Sequence, residues 1–322
     1  MLFDLPLDQL RDYRPDLPEP ADFDEFWAAT LAQTRAFPLA ATFEPAVSLL
    51  STVEVFDVRF AGYGGTPIAA WLLLPRHRSE PLPCVVEYIG YGGGRGLAHD
   101  WLDWSAFGYA HLVMDTRGQG SSWRSGVTTD VHPGGAGPHV PGFLTLGLPN
   151  RDDYYYRRLY ADAVRAVEAA RSHPAVDPTR IVVAGGSQGG GLALAAASLV
   201  GDVQAALPDV PFLSHFRRAV DMAGSTPYTE LLNWCRSHTD LADQAFTALS
   251  YFDGALLGRR ATAPALFSVG LLDPVCPPST VFAAYNNYGG ANKDIRVWPW
   301  HEHDIGPGRQ RAEQVEWLRS VL

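Results

Sequence analysis

The chain contains very little lysine and little cysteine. Lys293 is the only lysine among 322 residues, and three cysteines (Cys84, Cys235 and Cys276) are too few for a disulfide framework. The formal net charge is -10 and the basic residues are scattered, whereas nucleic-acid binding needs clustered positive charge. No Cys-x-x-Cys or His-x-x-x-His spacing suggests zinc. We therefore predict no nucleic-acid partner, no metal and no cofactor.

Long hydrophobic runs are also missing. No segment reaches 18 uninterrupted apolar residues, the length at which a membrane-spanning helix is expected. The first residues include Asp4, Asp8, Arg11 and Asp16 and have no apolar stretch of the kind that a secretion signal needs. These features predict a cytoplasmic protein without a membrane partner.

Apolar residues make up 47% of the chain and charged residues 19%, which is typical of a well-filled globular core. Continuous apolar runs alternate with helical patterns over much of the sequence. Such runs indicate strands buried on both faces, as in a parallel sheet covered by helices on both sides. We predict one α/β domain over residues 1–322. The expected strands are 84–89, 110–114, 181–184, 205–207, 265–269 and 295–298, and the expected helices are 97–107, 154–172, 192–200, 281–288 and 309–322.

Additional segments extend this core. Residues 1–50 are predicted to form an N-terminal extension, with an extended arm over residues 1–20 followed by a helix. Alternating apolar residues over 53–74 predict an antiparallel hairpin. Residues 118–150 are rich in Gly, Pro and His and predict a long loop. Residues 211–258 predict a helical insertion that either covers a pocket as a lid or completes the core.

The pentapeptide Gly185-Gly186-Ser187-Gln188-Gly189 follows an apolar strand and opens a run of small residues. A strand, a glycine-framed turn and a helix together are typical of a nucleophile elbow. There, a serine hydroxyl is exposed above the sheet at the positive end of the helix. Ser187 is therefore the candidate nucleophile.

A serine nucleophile needs a base, and the base needs a carboxylate that orients it. Asp273 directly follows the predicted strand 265–269, on a turn framed by Pro274 and Pro277, and is the candidate acid. The alternative role for Asp273 is to cap the next helix, but we expect Ser279 to do this.

The base is expected after the strand 295–298, where His301 and His303 are both available. Spacing alone does not choose between them. His111 lies before the serine, and the chain order Ser, Asp, His excludes it.

An oxyanion hole needs two backbone amides near the developing charge. Gln188, the residue after the candidate nucleophile, supplies the first. The second is expected from residues 90–94, most simply from the amide of Tyr91. The glycines of this segment lack the spacing of a dinucleotide site, and a plain tight turn is the alternative interpretation.

Six segments carry recognisable motifs: 22–27, 87–93, 115–120, 153–158, 186–190 and 273–286. Together they resemble one known family, the acetyl xylan esterase and cephalosporin C deacetylase proteins of carbohydrate esterase family 7. The likeness covers essentially the whole chain, and the Arg-Gly-Gln and Pro-Pro-Ser-Thr-Val-Phe pieces are its most specific parts.

The resemblance implies an α/β-hydrolase fold with Ser187 as nucleophile, Asp273 as acid and His303 as base. His303 is favoured over His301 because it stands at the histidine of the family's His-Glu pair, which reads His303-Asp304 here. The Arg-Gly-Gln motif, 117–119, is implied to brace the site without being catalytic.

The family removes acetyl groups from small alcohols, including xylooligosaccharides and cephalosporins, and many members form hexamers. The resemblance therefore implies a homohexameric serine esterase acting on small acetyl esters. The alternatives are a peptidase or a lactone hydrolase on the same scaffold, or a ligand-binding module without catalysis. The sequence leaves open whether Trp101, Trp104, Trp123 and Trp300 line the pocket or fill the core.

Overall fold

One sheet of nine strands forms the centre of the computed structural model, which describes residues 3–130, 139–222, 224–304 and 308–322. The strands are β1 Thr42–Pro45, β2 Val53–Ala61, β3 Pro67–Pro75, β4 Leu82–Tyr88, β5 Ala110–Met114, β6 Val176–Gly186, β7 Ala205–Asp209, β8 Ala265–Gly270 and β9 Lys293–Trp298.

The strand order is β1-β2-β3-β5-β4-β6-β7-β8-β9. β1, β2 and β3 pair antiparallel, as does β3 with β5, and the remaining pairs are all parallel. Every residue of β5, β7 and β8 is buried, which explains their continuous apolar sequences. Because parallel strands end at the same edge of a sheet, the segments that follow β4, β6, β8 and β9 meet there.

Helices cover both faces of the sheet. Along β6, Val183 belongs to the larger core, which includes Leu159 of one helix, while Val182 packs with Leu318 of another on the opposite face. The helices are α1 Leu7–Asp12, α2 Phe23–Arg35, α3 Asp103–Ala106, α4 Tyr155–Arg171, α5 Gln188–Val200, α6 Phe216–Met222, α7 Tyr228–Ser237, α8 Ala242–Ser250, α9 Gly254–Leu257, α10 Pro278–Asn287 and α11 Arg309–Val321. No helix in the described ranges has the length and apolar character needed to cross a bilayer.

The N-terminal segment is less extended than predicted. It contains α1, whose Leu10 is 1% exposed in the core, so the prediction of an extended arm is wrong over this helix. The segment also caps α10. The carboxylate of Asp4 accepts the amide of Ser279 at 2.7 Å, whereas the Ser279 side chain makes no capping bond. The expected capping by Ser279 is therefore wrong, because a carboxylate distant in sequence satisfies the helix.

The predicted helix over residues 97–107 is also wrong, since only a short turn and α3 form there. The carbonyl of Trp101 accepts a hydrogen bond from the buried ring of His111 at 3.1 Å instead of one from a helical amide. Trp104 is fully buried and donates to Glu87. These two contacts with His111 and Glu87 take the place of regular helical hydrogen bonds in this segment.

The predicted hairpin forms, and the segment predicted as an insertion is helical in large part. β2 and β3 pair in register from Val53 opposite Pro75 to Ala61 opposite Pro67. The insertion 211–258 contains α6 to α9 in its described part. In the predicted loop 118–150, the described residues form neither helix nor strand, and residues 131–138 lie outside the described ranges.

Candidate active site

Ser187 occupies the sharp turn between β6 and α5. Its φ of 56° and ψ of -120° lie in a region that residues with a side chain seldom adopt. Two hydrogen bonds hold this conformation: the Ser187 amide donates to the carbonyl of Asp209, and the Ser187 carbonyl accepts the amide of Phe212, each at 3.0 Å. A Cβ on Gly189 would lie 2.2 Å from the Tyr88 carbonyl, so only glycine fits there. A Cβ on Gly185 would likewise lie 2.5 Å from the backbone of Gly189, so Gly185 and Gly189 are both required by close packing at the turn.

Asp273 and His303 form a hydrogen-bonded pair. Nδ1 of His303 lies 2.8 Å from Oδ2 of Asp273, whose side chain has no exposed surface. The other carboxylate oxygen accepts the amides of Val275 and Cys276 at 2.8 and 2.9 Å. The main chain therefore fixes one oxygen and leaves the other for the imidazole. A proton held on Nδ1 leaves Nε2 to act as the base.

Ser187 and His303 line the same pocket, which has a volume of about 370 Å³. Because His303 also bonds Asp273, the three residues predicted for the triad come together at one edge of the sheet. His301 is not among the pocket-lining residues, and its Nδ1 lies 3.2 Å from the carboxylate of Asp304. The remaining walls are Gly90, Tyr91, Trp123, Thr226, Pro227 and Val275.

In the segment 90–94, Gly90 and Tyr91 line the pocket, and three of the following amides are hydrogen-bonded elsewhere. The amides of Gly92, Gly93 and Gly94 donate to Gln119, Gly90 and Arg124, respectively. The described part of the chain provides no acceptor for the amide of Tyr91. Gln188 begins α5, and the first amides of a helix have no acceptor within it. Neither of the two amides predicted for the oxyanion hole thus has an acceptor in the described ranges.

Gln119 connects these two donor segments. Its Oε1 accepts the Gly92 amide at 2.7 Å, and its Nε2 donates to Oε1 of Gln188 at 2.8 Å. Gln188 also receives the hydroxyl of Tyr156 and donates to the carbonyl of Ile89. The Arg-Gly-Gln motif thus braces the site through direct contacts that sequence alone did not specify.

Arg117 of the same motif is buried in an ion-pair cluster. Its guanidinium contacts Asp162 at 2.6 Å and Asp130 at 3.1 Å, and Arg158 contacts Asp130 at 2.7 Å. Because the opposite charges and hydrogen bonds outweigh burial, they lower the pKa of the Asp130 carboxyl. The cluster ties Arg117 and Asp130 to α4.

Two buried acidic groups near Ser187 have raised pKa values. Burial raises the pKa of Asp209 to about 6, although its carboxylate accepts bonds from Ser268, Gln310 and Gln314. Burial also raises the pKa of the Cys276 thiol, whose side chain is hydrogen-bonded to Ser187. The thiol therefore stays protonated at neutral pH and is a poor rival nucleophile.

The tryptophans separate into two groups. Trp104 is fully buried, and Trp101 is half-buried with its indole donating to the carbonyl of Arg95. Trp123 lines the pocket, is 55% exposed, and donates to the carbonyl of Tyr91 at 2.9 Å. Trp300 is 85% exposed and is not a pocket-lining residue. Sequence reasoning did not single out Trp123, because its loop position carries no helical or strand pattern.

Comparison with known proteins finds relatives that match this chain over nearly its full length. A family model described as acetyl xylan esterase (AXE1) matches residues 1–321. The chain belongs to the acetyl xylan esterase family. An acetyl xylan esterase structure from Paenibacillus sp. R4 is 40% identical with a TM-score of 0.90, covering 99% of this chain and 100% of that one. Acetyl xylan esterase 1 from Thermoanaerobacterium sp. JW/SL YS485 is 32% identical with a TM-score of 0.87, covering 98% and 99%.

A curated relative points the same way. Acetyl esterase Axe7A from Xylanibacter ruminicola is 28% identical over 96% of this chain and 69% of its own length. An acylaminoacyl peptidase from Pyrococcus horikoshii, at 16% identity and a TM-score of 0.60, covers 85% of this chain and 42% of its own and shares the fold alone. The predicted α/β-hydrolase fold is confirmed, and this family member is a carboxylic ester hydrolase with deacetylating activity. The peptidase, lactone-hydrolase and binding-module alternatives are not favoured.

Proposed function

We propose that this chain is a serine esterase that removes acetyl groups from small alcohol esters, such as acetylated xylooligosaccharides and cephalosporin C, through an acyl-enzyme. In this proposal Ser187 is the nucleophile, His303 the base and Asp273 the acid that orients it, while the amides of Tyr91 and Gln188 form the oxyanion hole. The observation that carries it is the His303–Asp273 hydrogen bond beside a pocket that also contains Ser187.

The reaction follows from these positions. His303 takes the proton of Ser187 through Nε2 as Oγ attacks the acetyl carbonyl, and the two amides stabilise the resulting oxyanion. The C–O bond to the alcohol then breaks, and His303 returns its proton to the leaving oxygen. Water, deprotonated by the same nitrogen, attacks the acetyl-serine and releases acetate. Asp273 stabilises the imidazolium at both steps.

The size of the pocket supports a small ester as substrate. Its volume of about 370 Å³ is at the low end for small-molecule sites, and Trp123, Thr226 and Pro227 form part of its wall. Trp123 is the exposed aromatic residue of this wall. An acetyl group attached to a sugar or a similar ring fits these dimensions better than a long acyl chain.

The test of this proposal is Ser187→Ala assayed with 4-nitrophenyl acetate, 4-nitrophenyl butyrate, acetylated xylooligosaccharides and cephalosporin C. We expect kcat on the acetyl esters to fall by roughly 10⁴-fold or more. Ser198→Ala is the matched control, since its hydroxyl donates to the Leu194 carbonyl within the same helix. Undiminished acetate release by the Ser187 variant would contradict the proposal.

We also propose a cytoplasmic homohexamer. The low cysteine content of the sequence supports the compartment, and the family resemblance supports the assembly. Light scattering of the purified chain tests the assembly directly, and a monomer at micromolar concentration would contradict it.

A further inference from the structure

The hydroxyl of Tyr91 lies in a site built from three separate parts of the chain. It donates to Oε2 of Glu230 at 2.6 Å and accepts the amide of Phe143 at 2.8 Å. The amides of Gly142 and Leu144 lie at 3.2 and 3.3 Å from the same oxygen. The ring packs against Phe143 and Phe212 with centroid separations of 5.5 and 6.1 Å. The side chain of Tyr91 is therefore held along its whole length.

The backbone around Tyr91 needs this support because glycines flank it. Gly92 has a φ of 79°, and a glycine on each side leaves the neighbouring dihedrals few steric limits. The carbonyl of Tyr91 is held by the indole of Trp123 at 2.9 Å. Contacts at the carbonyl and at the hydroxyl thus restrain Tyr91 from both its main chain and its side chain. They limit the movement of the residue whose amide is the proposed oxyanion donor.

Glu230 reaches the hydroxyl from the helical insertion. It lies in the first turn of α7, three residues after the pocket-lining Pro227. In the described ranges it forms no ion pair with Lys, Arg or His, and burial raises the pKa of its carboxyl. Tyr91 is its side-chain hydrogen-bond partner, and the backbone of Leu144 also bonds its half-buried carboxyl.

We propose that Glu230 is a positioning residue for the esterase reaction, which holds the oxyanion-hole amide of Tyr91 in place through the Tyr91 hydroxyl. The insertion then has a definite role, because it fixes the catalytic geometry as well as forming part of the pocket wall. This inference rests on the function proposed above. It also assigns a role to a residue in a segment predicted only as a lid or a core-completing helical pair.

The experiment compares Glu230→Ala, Glu230→Gln, Tyr91→Phe and the Tyr91→Phe/Glu230→Ala double variant with 4-nitrophenyl acetate. We expect Glu230→Ala and Tyr91→Phe each to lower kcat by roughly tenfold or more with KM within about twofold, because small displacements of a catalytic group are costly. Glu230→Gln keeps an oxygen acceptor and should stay within about threefold of the wild type. The double variant should lose no more than about twice the larger single loss, because each single change already breaks the bond between Tyr91 and Glu230.

A second readout separates positioning from a merely structural role. A trifluoromethyl ketone forms a hemiketal oxyanion on the serine, so its Kd should rise in Glu230→Ala by the same factor as kcat falls. Tyr288→Phe is the control, since its hydroxyl donates to the carbonyl of Ala263 and Tyr288 does not line the pocket. Melting temperatures verify that each variant is folded.

The outcomes are distinguishable. Suppose that Ser187→Ala loses the activity of the wild type while Glu230→Ala keeps the wild-type kcat. This result would overturn the inference about Glu230 and leave the proposed function intact. Multiplicative losses in the double variant, or unchanged ketone affinity in Glu230→Ala, would also overturn it. Activity that survives in Ser187→Ala would contradict the proposed function itself.

Discussion

The two sides of the pocket are held in different ways. On the oxyanion side, Gln119, Gln188 and Tyr156 form a fully buried hydrogen-bonded network behind the amides. On the base side, His303 lies on an exposed turn, its side chain is 30% exposed, and one bond to Asp273 orients it. The structure thus combines a rigid donor side with a base whose position depends largely on a single carboxylate.

This difference has a physical reason. In the proposed mechanism the oxyanion donors must point at developing charge without reorganising, so their support has to be buried and fully satisfied. The proposed base instead has to exchange protons with serine, leaving group and water in turn. A base at the edge of solvent, fixed at Nδ1 alone, meets that need.

The largest effect is expected from a substitution on the base side of the pocket. His303→Ala should lower kcat on 4-nitrophenyl acetate by roughly 10⁴-fold, because it removes the only proposed proton acceptor for Ser187. His301→Ala is the matched control on the same turn and should stay within about threefold. Steady-state kinetics of both variants measure the contrast, and the opposite ranking would assign the base to His301.

A smaller effect is expected from the donor side. Gln119→Ala leaves the Gly92 amide and the Gln188 side chain without their shared partner, and we expect kcat to fall roughly 10- to 100-fold with a lower melting temperature. Gln204→Ala, whose amide donates to the carbonyl of Val321, is the control. Wild-type kcat in the Gln119 variant would show that the donors keep their geometry without this network.

The smallest effect concerns Asp209, which connects the two sides. Its carbonyl holds the Ser187 amide, and its carboxylate holds Gln310 and Gln314 of α11, the helix after the histidine turn. Its pKa of about 6 lies above the ordinary value of about 3.9, so the folded state binds the proton more tightly. Proton binding at Asp209 therefore stabilises the folded state. This contribution is fully present below pH 4 and is lost as the pH rises through about 6.

Denaturant unfolding between pH 4.5 and 8 measures this contribution. The free energy of unfolding of the wild type should fall between pH 4.5 and 8 as Asp209 ionises. In Asp209→Asn this fall should be smaller by roughly 2 kcal/mol. Asp202→Asn, a change in an exposed pair with Arg171, is the control. An unchanged pH dependence in the Asp209 variant would show that this carboxyl does not titrate in the range.

The same contrast explains which features could be predicted from the sequence. The Ser187 elbow and Asp273 follow buried strands directly, so strand order and turn chemistry located them. His301 and His303 share one exposed turn, and no local rule separates two nearby histidines there; the family resemblance favoured His303. Asp4 capping α10, Gln119 joining two donor segments and Glu230 reaching Tyr91 are contacts between segments distant in sequence. No local pattern encodes such pairings, and only the folded geometry specifies them.

The most direct test of the central claim is to trap the acetyl-enzyme. Acid quenching of the purified chain within milliseconds of mixing with 4-nitrophenyl acetate, followed by peptide mass spectrometry, identifies the acetylated side chain. We predict one acetyl group per chain on Ser187, and none in Ser187→Ala. Acetyl on Cys276 or another residue, or full turnover without an acetylated serine, would contradict the account.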